Sequence, residues 1–141
     1  MAERILLIAD DDPDDLFFVR EALGKLCPSL RLFAVPDGQE AVDYLSGAGP
    51  YADRAKSPLP DHLLLDLKLP RRTGLEVLAW IRSRPGLRRL PVTVISGSGL
   101  IDDVAQVEAL KADYMVKPVE FSQLGILLRG FCRKAGFPVA D

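Results

Sequence analysis

The sequence predicts an α/β fold in which five parallel strands form a doubly wound sheet. Short apolar runs alternate along the 141 residues with amphipathic segments whose apolar residues recur at helical spacing. Three of the apolar runs have no polar face, which is typical of strands that helices cover on both sides. This alternation favours a parallel sheet with right-handed crossovers.

Each element can be placed from these patterns. Strand-like runs are present in five places: RILLIAD (4–10), LRLFAV (30–35), HLLLDL (62–67), PVTVIS (91–96) and DYMVK (113–117). Helical spacing is present in five others: 13–27, 37–46, 73–84, 101–111 and 120–134. The sequence GAGPYADRAKSPLP at 47–60 is rich in Gly and Pro and longer than most loops, so we interpret it as an inserted loop. We expect a single domain over 1–141, with its core at about 4–134.

Composition excludes several classes of function. A hydrophobic content of 48% is enough for one core, and a net charge of −2 argues against binding to nucleic acid or to an anionic membrane surface. The apolar runs are far shorter than the ~20 residues that span a bilayer, so we expect a soluble, cytoplasmic protein. Cys27 and Cys132 lack CxxC spacing and are predicted to be buried reduced thiols.

An acidic cluster, DDDPDD, follows the first strand. Asp12 precedes Pro13, which predicts a helix N-cap, and Asp15 would then lie near the positive end of the helix dipole. Asp10 and Asp11 differ from these because they fall at the carboxyl end of the strand. Open parallel sheets bind their ligands at that edge.

A third carboxylate, Asp66, ends the third strand. In the flavodoxin-like strand order 2-1-3-4-5, strand three lies beside strand one, so Asp10, Asp11 and Asp66 would converge. Two such charges ~5 Å apart repel by ~3 kcal/mol at an effective dielectric of 20. A bound cation explains the cluster, and oxygen ligands without His or Cys favour Mg²⁺, with Mn²⁺ as a substitute. The alternative is that these aspartates cap helices or are merely hydrated.

Two further strand ends favour the cation. Ser96 ends strand four and Lys117 ends strand five, at the same predicted edge. A hydroxyl and an ammonium beside a metal-bound carboxylate are complementary to a phosphoryl group. The sequence therefore predicts a site at which a carboxylate attacks phosphorus.

With these motifs, the sequence resembles the receiver domains of two-component response regulators from about residue 4 to 134. The resemblance is carried by ADDDP, LLLDLKLPRRTGLEVL, PVTVISGS and YMVKP. It implies that Asp66 is the phosphoacceptor, and that Asp10, Asp11, Asp66 and the backbone carbonyl of Lys68 hold the metal. Many members carry Asn where this chain has Lys68.

The resemblance also implies roles for the later strand ends. Ser96 is the switch hydroxyl, where Thr is commoner, and Tyr114 is the rotating aromatic residue. Lys117 binds the phosphoryl group and precedes a cis Pro118. The protein is then not an enzyme acting on other molecules, but a phosphoacceptor whose aspartyl phosphorylation and dephosphorylation are self-catalysed.

The same resemblance implies the partners. The phosphoryl donor is a sensor histidine kinase. The inserted loop 47–60 resembles that of a subset of stand-alone receivers, which includes partners of bacterial phytochrome histidine kinases. Because no output domain follows the last helix, we expect output through protein contacts. Phe121 and Ile126 are surplus apolar positions on that helix, which predicts a homodimer through the last strand and helix.

Two other functions would suit the same fold. A constitutive protein-interaction module with this fold would not need the acidic cluster, Ser96 and Lys117. A Mg²⁺-dependent phosphatase with an aspartyl nucleophile would need a second acid at position 68, where this chain has Lys68.

The remaining polar residues have simpler interpretations. His62 begins strand three, so we expect it at the edge away from Asp66. A group of arginines is interpreted as a solvated face, or as a surface that steers an acidic partner: Arg71, Arg72, Arg82, Arg84, Arg88 and Arg89.

Overall fold

The computed structural model describes residues 3–97 and 101–140, with side chains at 3–97 and 103–140. Five parallel strands form one sheet in the order β2-β1-β3-β4-β5, as predicted. The strands are β1 (Ile5–Ala9), β2 (Arg31–Val35), β3 (His62–Asp66), β4 (Val92–Ser96) and β5 (Asp113–Val116). The helices are α1 (Pro13–Leu26), α2 (Gly38–Ser46), α3 (Gly74–Ser83), α4 (Ile101–Ala109) and α5 (Leu124–Ala135).

The sheet is covered on both faces, which explains its uninterrupted apolar strands. Leu7 and Leu65 lie in a core shared with α2, α3 and α4. Leu6 and Leu64 lie in a second core shared with α1 and α5. All four side chains are at most 1% exposed, so each contributes roughly 1.5–3 kcal/mol to folding by burial. The doubly wound α/β prediction is confirmed.

Strand register aligns the carboxyl ends of the central strands. Ala9, the last residue of β1, pairs with Leu65 of β3. Asp10, which follows β1, therefore lies level with Asp66, which ends β3. Asp66 pairs with Ile95, the residue before Ser96. The sheet therefore brings the polar residues at these strand ends to one edge.

Capping residues determine where α1 and α3 begin. Asp12 is the N-cap of α1, and its carboxylate accepts hydrogen bonds from the N–H groups of Asp14 and Asp15. Thr73 caps α3 in a reciprocal arrangement with Glu76. Gly74 follows that cap, and a Cβ there would collide with the carbonyl oxygen of Asp66. A glycine is needed here because the helix starts directly against the strand end that carries Asp66.

One predicted helix boundary and one predicted peptide bond differ from the structure. A 3₁₀ turn at Phe121–Gln123 precedes α5, so that helix begins at Leu124 and not at residue 120. No side-chain cap is present at Glu120 to start an α-helix earlier. No peptide bond within the described ranges is cis, so the expected cis bond before Pro118 is wrong for this structure.

The inserted loop 47–60 is folded against α2. The Arg54 guanidinium donates hydrogen bonds to the carbonyl oxygens of Tyr44 at 2.7 Å, Leu45 at 2.9 Å and Ser57 at 3.1 Å. Two of these carbonyls, those of Tyr44 and Leu45, belong to the last turn of α2, and the third belongs to the loop itself. The loop is thus a structured extension of α2.

Both cysteines lie in the second core. Cys27 and Cys132 are free, buried thiols in the core beneath α1 and α5, as predicted. Burial raises the pKa of the Cys132 thiol, which therefore stays protonated. Among the described helices, none is long and apolar enough to cross a membrane.

Candidate functional site

Three carboxylates meet at the carboxyl edge of the sheet. Asp10, Asp11 and Asp66 each place a carboxylate oxygen within 4.8 Å of the others. Asp10 and Asp66 are buried, at 5% and 7% exposure, whereas Asp11 is exposed. Two ligands are thus fixed in the fold while the third faces solvent, from which an ion can enter.

Backbone hydrogen bonds orient the two buried carboxylates. Asp10 Oδ1 accepts from the N–H of Asp12 at 2.9 Å, and Asp66 Oδ1 accepts from the N–H of Lys68 at 3.0 Å. Burial raises the pKa of the Asp10 carboxyl, and the Asp12 N–H and the charge of Lys117 act in the opposite direction. A divalent cation would favour the ionised form of Asp10 further.

Lys117 supplies the positive charge of the site. Its Nζ atom donates to Asp66 Oδ2 at 2.8 Å, to Asp15 Oδ2 at 2.9 Å and to Asp10 Oδ2 at 3.4 Å. Burial alone would lower the pKa of Lys117, but the hydrogen bonds to Asp66 and Asp15 raise it well above its ordinary value. The ammonium therefore stays charged at every physiological pH.

Asp15 is a site residue that the sequence analysis assigned only to the helix start. The structure places its carboxylate on Lys117, on the side of α1 that faces the sheet edge. Val19 and Leu23 follow it at intervals of four residues and are both buried. The same spacing in the sequence could have shown that Asp15 lies on the inward face of the helix.

The remaining predicted residues lie on β4, on β5 and just after β3. Ser96 ends β4 and is 1% exposed, and its carbonyl oxygen accepts the backbone N–H of Lys117 at 2.7 Å. Tyr114 is half-buried in β5. The Lys68 side chain is exposed beside the site, while its backbone N–H bonds Asp66.

His62 lies at the opposite edge of the sheet, as expected from its position at the start of β3. Its Nε2 atom is 2.8 Å from Thr93 Oγ1, and it packs edge-on against Phe131. Burial lowers the pKa of His62 to about 4. It is a neutral core residue and contributes nothing to the carboxylate cluster.

The chemistry of this cluster is suited to a hard divalent cation. Its ligand atoms are all carboxylate oxygens, the set that Mg²⁺ and Mn²⁺ prefer. Asp66 touches both the cluster and the ammonium of Lys117. A group bound to Asp66 would therefore lie against the ammonium of Lys117, and against the ion as well if a cation occupied the cluster.

Comparison with known families agrees with this geometry. The model of the response regulator receiver domain matches residues 6–129. The chain belongs to the response regulator receiver family. The match supports a role in two-component signalling, and the fold described above is that of this family.

Individual relatives of this receiver include response regulators of phytochromes. The receiver is 34% identical over 128 residues to the response regulator Rcp1 of Synechocystis, covering 90% of this chain and 85% of Rcp1. It is similar to the solved structure of phosphorylated RcpA, a cyanobacterial phytochrome response regulator. That match has a TM-score of 0.88 and 34% identity, and it covers 99% of this chain and 100% of RcpA.

The manganese-bound form of Rcp1 is a third such match. It has a TM-score of 0.84 and 33% identity, covering 92% of this receiver and 91% of that structure. Phytochrome response regulators are thus among the relatives of this receiver. The narrower resemblance predicted from loop 47–60 points to the same group.

Proposed function

We propose that this receiver accepts a phosphoryl group on Asp66 from a sensor histidine kinase, with Mg²⁺ or Mn²⁺ bound by Asp10, Asp11, Asp66 and the backbone carbonyl of Lys68. The observation that carries the proposal is the position of Asp66, whose carboxylate belongs to the acidic cluster and also contacts Lys117. A manganese-bound relative and a phosphorylated relative support it.

In this mechanism an oxygen of Asp66 attacks phosphorus as the bond from phosphorus to the imidazole nitrogen of the kinase breaks. The imidazole leaves with the electron pair of that bond and takes up a proton, and Asp66 becomes an acyl phosphate. The bound metal would neutralise charge on the phosphoryl oxygens. Hydrolysis by water returns Asp66 and inorganic phosphate.

The residues of the chain have separate tasks in this step. The N–H of Lys68 holds Asp66 Oδ1, which fixes the direction of the carboxylate. Lys117 leaves Asp66 Oδ2 and pairs with a phosphoryl oxygen, to which Ser96 also donates a hydrogen bond. Tyr114 then follows Ser96 as the second member of the switch. Each contact is stronger in the charged phosphoryl state than in the free carboxylate.

We also propose that the kinase is a bacterial phytochrome and that the receiver is a homodimer through β5 and α5. The relatives named as phytochrome response regulators support the first part. Apolar side chains exposed around these elements support the second: Val116 at 48%, Phe121 at 49% and Ile126 at 77% exposure. Phe121 also stacks on Phe18 of α1, with ring centroids 4.2 Å apart, so part of its ring is covered within the chain.

Incubation with acetyl phosphate and Mg²⁺, read by intact-protein mass, tests the proposed function. The wild type should gain one phosphoryl group, whereas Asp66→Asn and a sample with excess EDTA should gain none. Asp14→Asn is the matched control, because Asp14 is an exposed aspartate in the first turn of α1 outside the cluster. A wild type that is never phosphorylated under these conditions would instead favour a constitutive interaction module.

A further inference from the structure

A second concave surface lies at the edge of the sheet opposite Asp66. It has a volume of about 600 Å³ and lies where the chain enters β4 and β5. Its floor includes Leu90 and Leu110. Four cationic residues also line it: Arg82, Arg88, Arg89 and Lys111. We call this surface the basic pocket.

Arg82 holds the basic pocket together. Its guanidinium donates to the carbonyl oxygens of Leu110 and Leu90 at 2.7 Å each. It also donates to those of Arg88 at 3.1 Å and Lys111 at 3.2 Å. The end of α3, the connection to β4 and the turn before β5 are thereby fixed to one another, so the pocket is formed before any ligand arrives.

The other three cations of the basic pocket have no acidic partner among the side chains that the structure describes. Within the described residues, no carboxylate oxygen lies within 4.0 Å of Arg88, Arg89 or Lys111, and all three side chains are exposed. In contrast, Arg71 pairs with Asp37 at 3.2 Å.

The sequence accounts for this absence around Arg88 and Arg89. Between Glu76 and Asp102 it holds four arginines and no Asp or Glu, although the whole chain has a net charge of −2. None of the residues that line the basic pocket is acidic. Positive charge is therefore concentrated at one place in an acidic protein.

We propose that the basic pocket binds a phosphate-bearing anion of nucleotide size. Arginine guanidinium groups match phosphate oxygens with paired N–H donors, and Arg88 and Arg89 have theirs available. The volume falls within the ~300–1,000 Å³ of small-molecule sites, and the Leu90–Leu110 floor offers an apolar surface to a flat organic group. Since the pocket and Asp66 lie at opposite ends of the strands, roughly 13–17 Å apart, both can be occupied together.

Calorimetric titration of the full chain with ATP in excess EDTA tests this proposal, because chelation removes any contribution from a metal. We expect saturable one-site binding by the wild type, and about tenfold or greater weakening in Arg88→Gln/Arg89→Gln. Lys111→Gln should weaken binding by a smaller factor. Inorganic tripolyphosphate, which lacks the base and ribose, should bind more weakly than ATP.

The matched control is Arg20→Gln/Arg133→Gln, which removes two exposed arginines that lack a carboxylate partner in the described chain and lie away from the basic pocket. It should bind ATP within twofold of the wild type. Equal weakening in both double variants would show diffuse attraction and overturn the proposal. So would failure of the wild type to bind ATP, or binding of a Glu-rich peptide in place of ATP, which would mark a protein-docking surface.

Discussion

The ammonium of Lys117 bonds the carboxylates of Asp15 and Asp66 at nearly equal distances, 2.9 Å and 2.8 Å. Asp15 is thus a competitor for the cation that the proposed mechanism moves onto the phosphoryl group. It also adds a negative charge to a cluster that already holds Asp10, Asp11 and Asp66. The affinity of the site for a divalent ion should depend on both Asp15 and Lys117, with opposite signs.

Asp15→Asn should therefore weaken Mg²⁺ binding, and Lys117→Gln should strengthen it. At ~6 Å, a unit charge and a divalent ion interact by roughly 1.4 kcal/mol even at the dielectric constant of water, so each change should alter Kd by about tenfold or more. Calorimetric titration with Mg²⁺ at low ionic strength measures both changes. Asp14→Asn is the control and should have a smaller effect, since Asp14 does not contact Lys117. Equal shifts in Asp14→Asn and Asp15→Asn would contradict the assigned role of Asp15.

The stability of the phosphorylated state should depend on Lys68. Its exposed side chain lies two residues after Asp66 and can cover the approach of the attacking water or pair with a phosphoryl oxygen. We expect Lys68→Asn to speed phosphate loss severalfold, measured as the decay of the phosphorylated mass after removal of acetyl phosphate. Lys56→Asn changes an exposed lysine elsewhere and should have no effect. An unchanged or slower decay in Lys68→Asn would show that this side chain does not protect the phosphoryl group.

Self-association should depend on the exposed face of α5. Sedimentation at micromolar concentration should show a dimer, or a dimer that forms with beryllofluoride as the phosphoryl mimic, and Ile126→Glu should abolish it. Leu59→Glu is a matched control because Leu59 is also exposed, at 52%, but lies in the inserted loop. A wild type that stays monomeric with and without the mimic would rule out the homodimer.

Folding stability should fall in mild acid because of His62. Its pKa is lowered to about 4 in the folded protein, against about 6.5 in the unfolded chain, so the unfolded state binds more protons between these values. This contribution, roughly 3 kcal/mol, is present above pH 6.5 and is lost as pH falls toward 4. Urea unfolding at pH 7 and pH 4.5 should show a smaller loss in His62→Gln than in the wild type. Identical losses would mean that His62 is not the responsible group.

Much of the fold and of the candidate site could be predicted from the sequence, because local sequence patterns determine both. Apolar runs and helical spacing determine the elements, and parallel strands bring Asp10, Asp11, Asp66, Ser96 and Lys117 to one edge. Other features depend on contacts between distant segments, which periodicity does not encode. The hydrogen bond from Arg82 to the carbonyl oxygen of Leu110 joins positions 28 residues apart.

Asp15 shows the same limit within the site itself. Its place in the first turn of α1 was predicted, but its contact with Lys117 depends on how closely the helix approaches the end of β5. The start of α5 was misplaced because a 3₁₀ turn precedes it, and the apolar Phe121 of that turn does not distinguish a 3₁₀ turn from an α-helix.

Chemical mapping of the phosphorylated residue tests the central claim most directly. Borohydride reduces an aspartyl phosphate to homoserine, which marks the acceptor position by mass after proteolysis. Following phosphorylation with acetyl phosphate and Mg²⁺, we predict homoserine at position 66 and unmodified aspartate at positions 10, 11 and 15. Homoserine at any of those three positions, with Asp66 intact, would contradict the account.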